Sequence, residues 1–198
     1  VRSCPSADLI EYAIDVGLPI AVLDEVSNKY SPCELPVQVQ DVKKAHDVSL
    51  TTQLKVVDLS SLWAGPLCSH LLQRCGFSVT KVESSRRPDG ARFGNPNFFA
   101  ELDEGKDHVE IDLHSIAGIH QLRELIENAD VVIEGSRPRA LQQLGINADE
   151  IMRNDQPHVW LSITGYGRAG LAGQRVGFGD DCAVAGGLVD FSSDGPHF

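Results

Sequence analysis

Two periodic patterns of apolar residues alternate along the chain after residue 53. Short runs rich in valine and isoleucine predict buried strands at 54–59, 78–82, 108–113, 130–133 and 158–163. Between them, apolar residues recur every three or four positions, which predicts helices at 66–75, 116–128, 140–144 and 183–188. Alternating strands and helices are typical of an α/β fold. We expect a Rossmann-like, mostly parallel sheet with helices on both faces.

The first 53 residues are less regular than the rest. Residues 7–16 predict a short helix with Ser6 as its N-cap, and residues 20–23 predict a short strand. The mostly polar stretch 40–53 predicts a linker. We therefore expect an N-terminal segment and linker at 1–53, the remnant of a preceding domain, and the main domain at 54–198. The chain begins with valine, and we expect it to be an internal piece of a longer protein.

Composition narrows the function classes. The net charge of −11 argues against a nucleic-acid partner, which needs a basic surface. No apolar stretch approaches the roughly 18 residues of a membrane span, so no membrane association is expected. The five cysteines include no Cys-x-x-Cys pair, which favours reduced thiols in a cytoplasmic protein. The histidines show no metal-ligand spacing, and no metal site is expected.

The first strand of the main domain runs into a tight loop with Ala64 and Gly65, and the next helix begins near Pro66. In α/β proteins this junction presents backbone N–H groups to a ligand, and glycine allows close approach. The alternative is an ordinary strand-to-helix connection without a ligand.

Arginines follow two predicted strands at their carboxyl ends. Arg86, Arg87 and Arg92 follow the second strand, and Arg137 and Arg139 follow the fourth. Ligands of open α/β sheets bind outside the carboxyl ends of the strands, and guanidinium groups bind phosphates by paired hydrogen bonds. Two such loops predict a site for an anion with several phosphates. For the loop after the second strand, the alternative is a solvated basic surface without a ligand.

Two further motifs have competing interpretations. Residues 165–170 match the G-x-G-x-x-G pattern of nicotinamide-dependent oxidoreductases, but no helical pattern follows, which favours a flexible loop. Asp180 and Asp181 precede an apolar helix, where they are either candidate catalytic carboxylates or helix caps.

The run VVDLSSLWAGP at 56–66 resembles the opening of the class III coenzyme A transferases. That family includes formyl-CoA transferase, carnitine CoA-transferase and α-methylacyl-CoA racemase. Further family-like motifs follow in the same order, at 79–83, 89–92, 105–113, 129–138, 144–145, 162–170 and 186–188. The resemblance covers residues 54 to about 190. It implies the incomplete large CoA-binding domain of the family and an interlocked homodimer in the full-length protein.

The resemblance also implies a site for CoA, which acts as substrate and not as a tightly bound cofactor. The implied site residues are Ser61, Leu62, Trp63, Ala64, Arg86, Arg87, Lys106, Ile111, Gly135, Ser136 and Arg137. The first four match the loop that lines the CoA and thioester pocket. Arg86 and Arg87 match positions at the adenosine phosphates, and Ile111 matches one beside the adenine. Residues 135–137 match the loop at the pantetheine and pyrophosphate, where the family often has Asn-Phe in place of Gly-Ser.

The implied activity is transfer of CoA between an acyl-CoA and a carboxylic acid. In the family an aspartate attacks the thioester to form an anhydride, and CoA is passed on through an aspartyl thioester. We expect that aspartate beyond residue 198, because the resemblance places it well past the Gly-Phe-Gly-Asp run at 177–180. Gly179 also departs from the family, which is usually acidic at this position, and Asp180 is the neighbouring carboxylate. The alternatives are an acyl-CoA racemase and an inactive CoA-binding or dimerisation module. Phe178 matches the racemase histidine and cannot carry a proton, which favours transfer.

Overall fold

The structure is a computed structural model that describes residues 5–23, 37–42, 53–154 and 157–197. It divides into two compact units, Asp41–Ile163 and the combination of Val1–Gln40 with Thr164–Phe198. Most of the predicted linker, 43–52, lies outside the described residues. The predicted boundary at residue 53 therefore stays a prediction.

The unit Asp41–Ile163 is built on a five-stranded sheet in which every neighbouring pair is parallel. Its strands are β1 (Lys55–Asp58), β2 (Ser78–Ser84), β3 (Asp107–Ile111), β4 (Val131–Glu134) and β5 (Val159–Ser162). Their order is β3-β2-β1-β4-β5, so the winding reverses between β1 and β4. In open α/β sheets, ligands bind outside the carboxyl ends of the strands at this switch point. The predicted α/β class is confirmed.

The helices of the described residues are α1 (Ser6–Val16), α2 (Ala64–Arg74), α3 (Ala91–Gly94), α4 (Pro96–Asp103), α5 (Ile116–Glu127), α6 (Pro138–Gln143), α7 (Ala148–Ile151) and α8 (Gly179–Ala185). Helices α2 and α5 cover opposite faces of the sheet. Val57, Val82 and Val132 share one core with the α5 residues Leu122 and Ile126. Val56, Val79 and Ile133 share the other with the α2 residues Cys68 and Leu72. Adjacent Val56 and Val57 face different cores because successive side chains of a strand alternate.

The apolar pattern predicts no helix between β2 and β3, but this segment contains α3 and α4. Helix α4 carries local start signals. The Asn95 side chain accepts a hydrogen bond from the Phe98 N–H at 3.1 Å, and Pro96 occupies the first helical position. These helices are too short to show an apolar periodicity, so only the capping residues could have predicted them.

The second unit contains α1, α8 and a hairpin of β6 (Asp190–Ser192) with β7 (Gly195–His197). The predicted first helix is confirmed, but Ser6 is its first helical residue and Pro5 is the N-cap. The predicted strand at 20–23 is wrong, because those residues form no strand. Helix α8 begins at Gly179 and ends at Ala185, earlier than the predicted 183–188. No pattern in the sequence predicts the hairpin.

Candidate functional site

Three loops leave the carboxyl ends of the central strands on one edge of the sheet. They are the β1 loop (59–63), the β2 loop (85–90) and the β4 loop (135–137). The β1 and β4 loops are adjacent, because a Cβ built on Gly135 would lie 3.5 Å from Ser60 Cβ. Gly65 packs still closer, and a Cβ there would overlap the Ser60 side chain. The parallel order of β2, β1 and β4 thus gathers the loops that the sequence analysis singled out.

The β1 loop is anchored by Asp58, which has no exposed area. Its Oδ1 accepts hydrogen bonds from the Ser60 N–H at 2.9 Å and from the Ser60 hydroxyl. Its Oδ2 accepts a hydrogen bond from the Ser69 hydroxyl on α2. Asp58 therefore ties the end of β1 both to its own loop and to the following helix.

A buried ion pair holds the same loop from the β2 side. The Lys81 Nζ donates to the Ser60 carbonyl at 2.7 Å and lies 3.2 Å from Asp89 Oδ2. The Asp89 carboxylate in turn accepts the Leu62 N–H at 3.0 and 3.1 Å. Sequence reasoning gave neither residue a role, although a lysine between the buried Val79 and Val82 is the signal that could have found this pair.

Two of the predicted site residues lie in the interior. The Lys106 side chain has no exposed area, and its Nζ lies 2.7 Å from Asp103 Oδ1, 3.0 Å from the Pro66 carbonyl and 3.4 Å from Asp58 Oδ2. Ile111 is 1% exposed and belongs to the core beneath α5. Neither side chain is free to contact a nucleotide, and we withdraw both from the candidate site.

The four predicted pocket residues Ser61, Leu62, Trp63 and Ala64 are all exposed. The Trp63 ring meets the Phe98 ring edge to face, with the centroids 5.8 Å apart. Gly135 is exposed and Ser136 is half-buried in the adjacent β4 loop. At this edge of the sheet, exposed apolar side chains therefore lie next to a solvent-exposed glycine backbone.

Arg137 is the least satisfied cation of this edge. Burial, and then the positive charges of Arg139 and Arg87, lower the pKa of the Arg137 guanidinium. Its Nη1 is buried and has no hydrogen-bond partner in the described part of the chain. Arg87, Arg137 and Arg139 therefore form what we call the arginine cluster, built from the β2 loop, the β4 loop and the start of α6.

The other two predicted arginines are paired with carboxylates. Arg86 Nη2 lies 3.2 Å from Asp112 Oδ2, and both side chains are exposed. Arg92 binds the carboxylate of Glu83. Burial alone would raise the pKa of Glu83, but hydrogen bonds from Arg92 and the Asp89 N–H, with the charges of Arg92 and Lys81, lower it overall.

Residues beneath the β4 loop were also missed by sequence reasoning. The buried Glu134 accepts hydrogen bonds from Trp160 Nε1 at 2.9 Å and from the Ser162 hydroxyl at 2.6 Å. These bonds join the ends of β4 and β5 directly before Gly135. Glu134 precedes Trp160 by 26 residues and Ser162 by 28, and no local pattern links it to them.

The acidic pair lies in the second unit. Asp181 is buried and accepts hydrogen bonds from the Tyr166 hydroxyl at 2.7 Å and from the Phe178 N–H at 2.6 Å. Burial and the bond to Asp181 raise the pKa of Tyr166. Both Asp181 oxygens are thus engaged, as the capping alternative predicts, whereas Asp180 is exposed.

The glycine pattern at 165–170 packs within the same unit. A Cβ on Gly165 would lie 2.6 Å from Cys182 Sγ, and one on Gly177 would lie 3.1 Å from it. A short 3₁₀ turn at Ala172–Gln174 follows the pattern. A dinucleotide fingerprint needs an α-helix directly after its glycines, so the nicotinamide alternative lacks its structural context.

Comparison with protein families matches residues 52–197 to CoA-transferase family III. The chain belongs to this family. An acyl-CoA transferase of Fusarium pseudograminearum is 28% identical over 158 residues, which are 72% of this chain and 35% of that protein. The succinyl-CoA–L-malate CoA-transferase beta subunit of Chloroflexus aurantiacus is 30% identical over 143 residues, 69% of this chain and 35% of the relative. The chain thus spans about a third of the length of these family III relatives.

Solved structures agree with the family III assignment. A CAIB/BAIF family protein from Brucella suis superposes with a TM-score of 0.63 at 30% identity, covering 71% of this chain and 40% of that one. A hypothetical protein (Rv3272) from Mycobacterium tuberculosis gives a TM-score of 0.65 at 30% identity, covering 72% and 42%. The resemblance predicted from the ordered motifs is confirmed.

Among the described residues, no helix has both the length and the apolar character to cross a membrane. Within the same residues, no group of three or more His, Cys, Asp or Glu side chains is arranged to hold a metal ion.

Proposed function

We propose that this chain supplies the CoA-binding part of an acyl-CoA transferase that moves CoA between an acyl-CoA and a carboxylic acid. The family assignment and the names of the relatives support this reaction class. The substrates would be small molecules, an acyl-CoA and a free carboxylic acid, with CoA as substrate and no tightly bound cofactor.

The arginine cluster is the observation that carries the proposal. Among the described residues, no carboxylate lies within ion-pair distance of Arg87, Arg137 or Arg139. Three uncompensated guanidinium groups at one edge repel each other unless an anion lies between them. The phosphates of CoA are such an anion, and burial of Arg137 strengthens a charge-assisted hydrogen bond there.

The neighbouring loops suit the rest of the molecule. Exposed Leu62 and Trp63, with Ser61 and Ala64, are proposed to contact the pantetheine and the thioester. Gly135 and Ser136 would let the ligand approach the backbone between the β1 and β4 loops. Arg86, which is held by Asp112 in this structure, would contact the adenosine phosphate only after leaving that exposed ion pair.

The carboxylate nucleophile of the reaction is not assigned to a described residue. Asp181 is committed to Tyr166 and Phe178, and the family aspartate is expected beyond residue 198. We propose no racemase role for Phe178, because its ring has no proton to exchange.

Calorimetric titration tests the binding proposal directly. The purified protein should bind CoA and should not bind NADH. Arg87→Gln combined with Arg137→Gln should weaken CoA binding roughly 100- to 10,000-fold, because two charge-assisted bonds are lost and each contributes ~1.5–3 kcal/mol. Arg153→Gln is the matched control, since Arg153 is exposed and precedes β5 at the opposite end of the strands. Binding of NADH without CoA would overturn the proposal.

A ligand series locates the phosphates more finely. Arg86→Ala with Arg87→Ala should weaken CoA more than dephospho-CoA if these side chains contact the additional phosphate. Equal weakening of both ligands contradicts that assignment and leaves the pyrophosphate as the group that is bound.

Activity separates transfer from the alternatives. The full-length protein should exchange CoA between an acyl-CoA and a free carboxylic acid in a mass-spectrometric assay. Exchange of the α-hydrogen without CoA transfer would indicate a racemase. CoA binding without either reaction would indicate an inactive binding or dimerisation module.

A homodimer and a cytoplasmic location remain parts of the proposal. The outer side of α2 exposes the apolar side chains of Leu67 and Leu71 beside Cys75. An exposed apolar surface of this kind is consistent with a face that a partner subunit covers. Light scattering of the full-length protein should give twice the monomer mass. Cell fractionation should place the protein with soluble cytoplasmic markers.

A further inference from the structure

Leu62 is the only residue other than glycine with a positive φ in the described part of the chain, at 72°. Residues other than glycine are uncommon in this left-handed region, and a bulky residue such as leucine stays there when the surrounding structure holds it. The Leu62 N–H points at both carboxylate oxygens of Asp89, at 3.0 and 3.1 Å. Asp89 is thus the group that holds the unfavourable turn.

Lys81 binds the backbone on the other side of the same turn. Its Nζ donates to the Ser60 carbonyl at 2.7 Å and lies 3.2 Å from Asp89 Oδ2. Neither the Lys81 nor the Asp89 side chain has any exposed area. The pair therefore fixes the backbone on both sides of Ser61 from beneath, where a ligand cannot reach it.

The pair also connects two ligand loops. Asp89 belongs to the β2 loop, which carries Arg87, and its N–H donates to Glu83 Oε1 at 2.8 Å. A Cβ on the next residue, Gly90, would lie 3.5 Å from Leu62 Cδ2. The position of the β1 loop is therefore coupled to that of the β2 loop.

We infer that Lys81 and Asp89 are positioning residues of the CoA site. The pair holds the β1 loop, with Leu62 in its left-handed conformation, at a fixed place relative to Arg87, and it does so without touching the ligand. This inference rests on the proposed function, which assigns CoA to these loops. If the pair had a purely structural role, a variant that lacks the pair but keeps the stability of the fold would bind CoA as tightly as the wild type.

A matched pair of double variants separates the two roles. Lys81→Met with Asp89→Leu removes both charges and the acceptor of the Leu62 N–H. Lys81→Met with Asp89→Asn removes the charges but keeps an amide oxygen for that N–H. Replacing a whole buried ion pair by residues of similar volume often preserves stability, whereas removing one partner does not.

The first measurement is CoA affinity by calorimetry. The leucine double variant should bind CoA about 10- to 100-fold more weakly than the wild type, because small displacements of positioned groups have effects of this size. The asparagine double variant should bind several-fold more tightly than the leucine variant. Wild-type affinity in the leucine variant overturns the inference.

The second measurement needs no ligand and remains decisive if the affinities change for another reason. Hydrogen exchange followed by mass spectrometry should show faster exchange in the peptide that covers 59–67 of the leucine variant. Exchange in α5 should stay as in the wild type, since a general loss of stability would accelerate both. Unchanged exchange at 59–67 overturns the inference. Absence of CoA binding by the wild type overturns the proposed function instead, so the two failures are distinct.

Discussion

Two groups of charged side chains lie at the same edge of the sheet and differ in how their charges are compensated. Beneath the β1 loop, Lys81 and Lys106 have no exposed area, and each is paired with a buried carboxylate. In the arginine cluster, by contrast, Arg137 is partly buried next to two other cations. The buried pairs have internal partners and so hold the backbone. The arginine cluster has no carboxylate partner within the described residues, so an anionic ligand would compensate its charge.

The largest expected effect comes from breaking a buried pair. Lys106→Met leaves Asp58 and Asp103 buried without their cation, which should lower the free energy of unfolding by about 3–5 kcal/mol. Urea titration followed by circular dichroism measures this loss. Arg86→Met is the control, because its pair with Asp112 is exposed and should change little. A small effect of Lys106→Met would remove the distinction between the two groups of charges.

Close packing at the start of α2 gives the next effect. In Gly65→Ala the new Cβ would overlap the Ser60 side chain and push the β1 loop outward. We expect a loss of about 1–3 kcal/mol in the free energy of unfolding. Gly94→Ala is the matched control, since a Cβ added to Gly94 would meet no atom within 4 Å. Equal stability of the two variants would contradict the tight contact between loop and helix.

A substitution in the arginine cluster should affect stability less than the substitutions of Lys106 and Gly65. Arg137→Gln removes a guanidinium that burial and two neighbouring cations disfavour, so the ligand-free protein should keep its stability within about 0.5 kcal/mol or gain slightly. Thermal unfolding without and with CoA checks this. The variant should lose much of the ligand-induced rise in melting temperature. Strong destabilisation without ligand would place Arg137 among the structural charges.

The smallest expected effect is on the loss of stability at acidic pH. The pKa of Glu83 is lowered in the folded protein, so this carboxylate contributes stability above its unfolded pKa of about 4.3. That contribution is lost as the pH falls through the lower folded-state pKa. Glu83→Gln should therefore flatten the decline of unfolding free energy between pH 5 and 3, measured by urea titration. Exposed Glu127 serves as control, and Glu127→Gln should leave that decline unchanged.

The apolar pattern predicted the sheet well because it reports directly on burial. The runs at 54–59 and 130–133 became β1 and β4 within two residues at each end, since their side chains face two cores. The short helices α3 and α4 escaped prediction because they bury few apolar residues. The strand predicted at 20–23 failed because a short apolar run does not specify its pairing partner.

The site was predictable only in part. The position of arginines after β2 and β4 follows from strand order, and the repulsion between Arg87 and Arg137 agrees with it. Lys106 and Ile111 were assigned by motif alone, although Ile111 lies in the run 108–113 that predicts a buried strand. The burial of Lys106 beside Asp58 and Asp103 depends on the fold, which brings Asp58 to it. The position of Lys81 in a predicted strand could have indicated its burial, but Asp89 lies beyond that strand and only the fold pairs the two.

Local sequence thus determined which segments become strands, how they alternate with helices and which family the chain belongs to, because hydrophobic periodicity and ordered motifs are properties of neighbouring residues. Only the tertiary structure decided which charges are paired in the interior and which have no carboxylate partner among the described residues. A charged side chain takes its role from the partners that the fold brings to it, and those partners lie as far apart in the chain as Lys106 and Asp58.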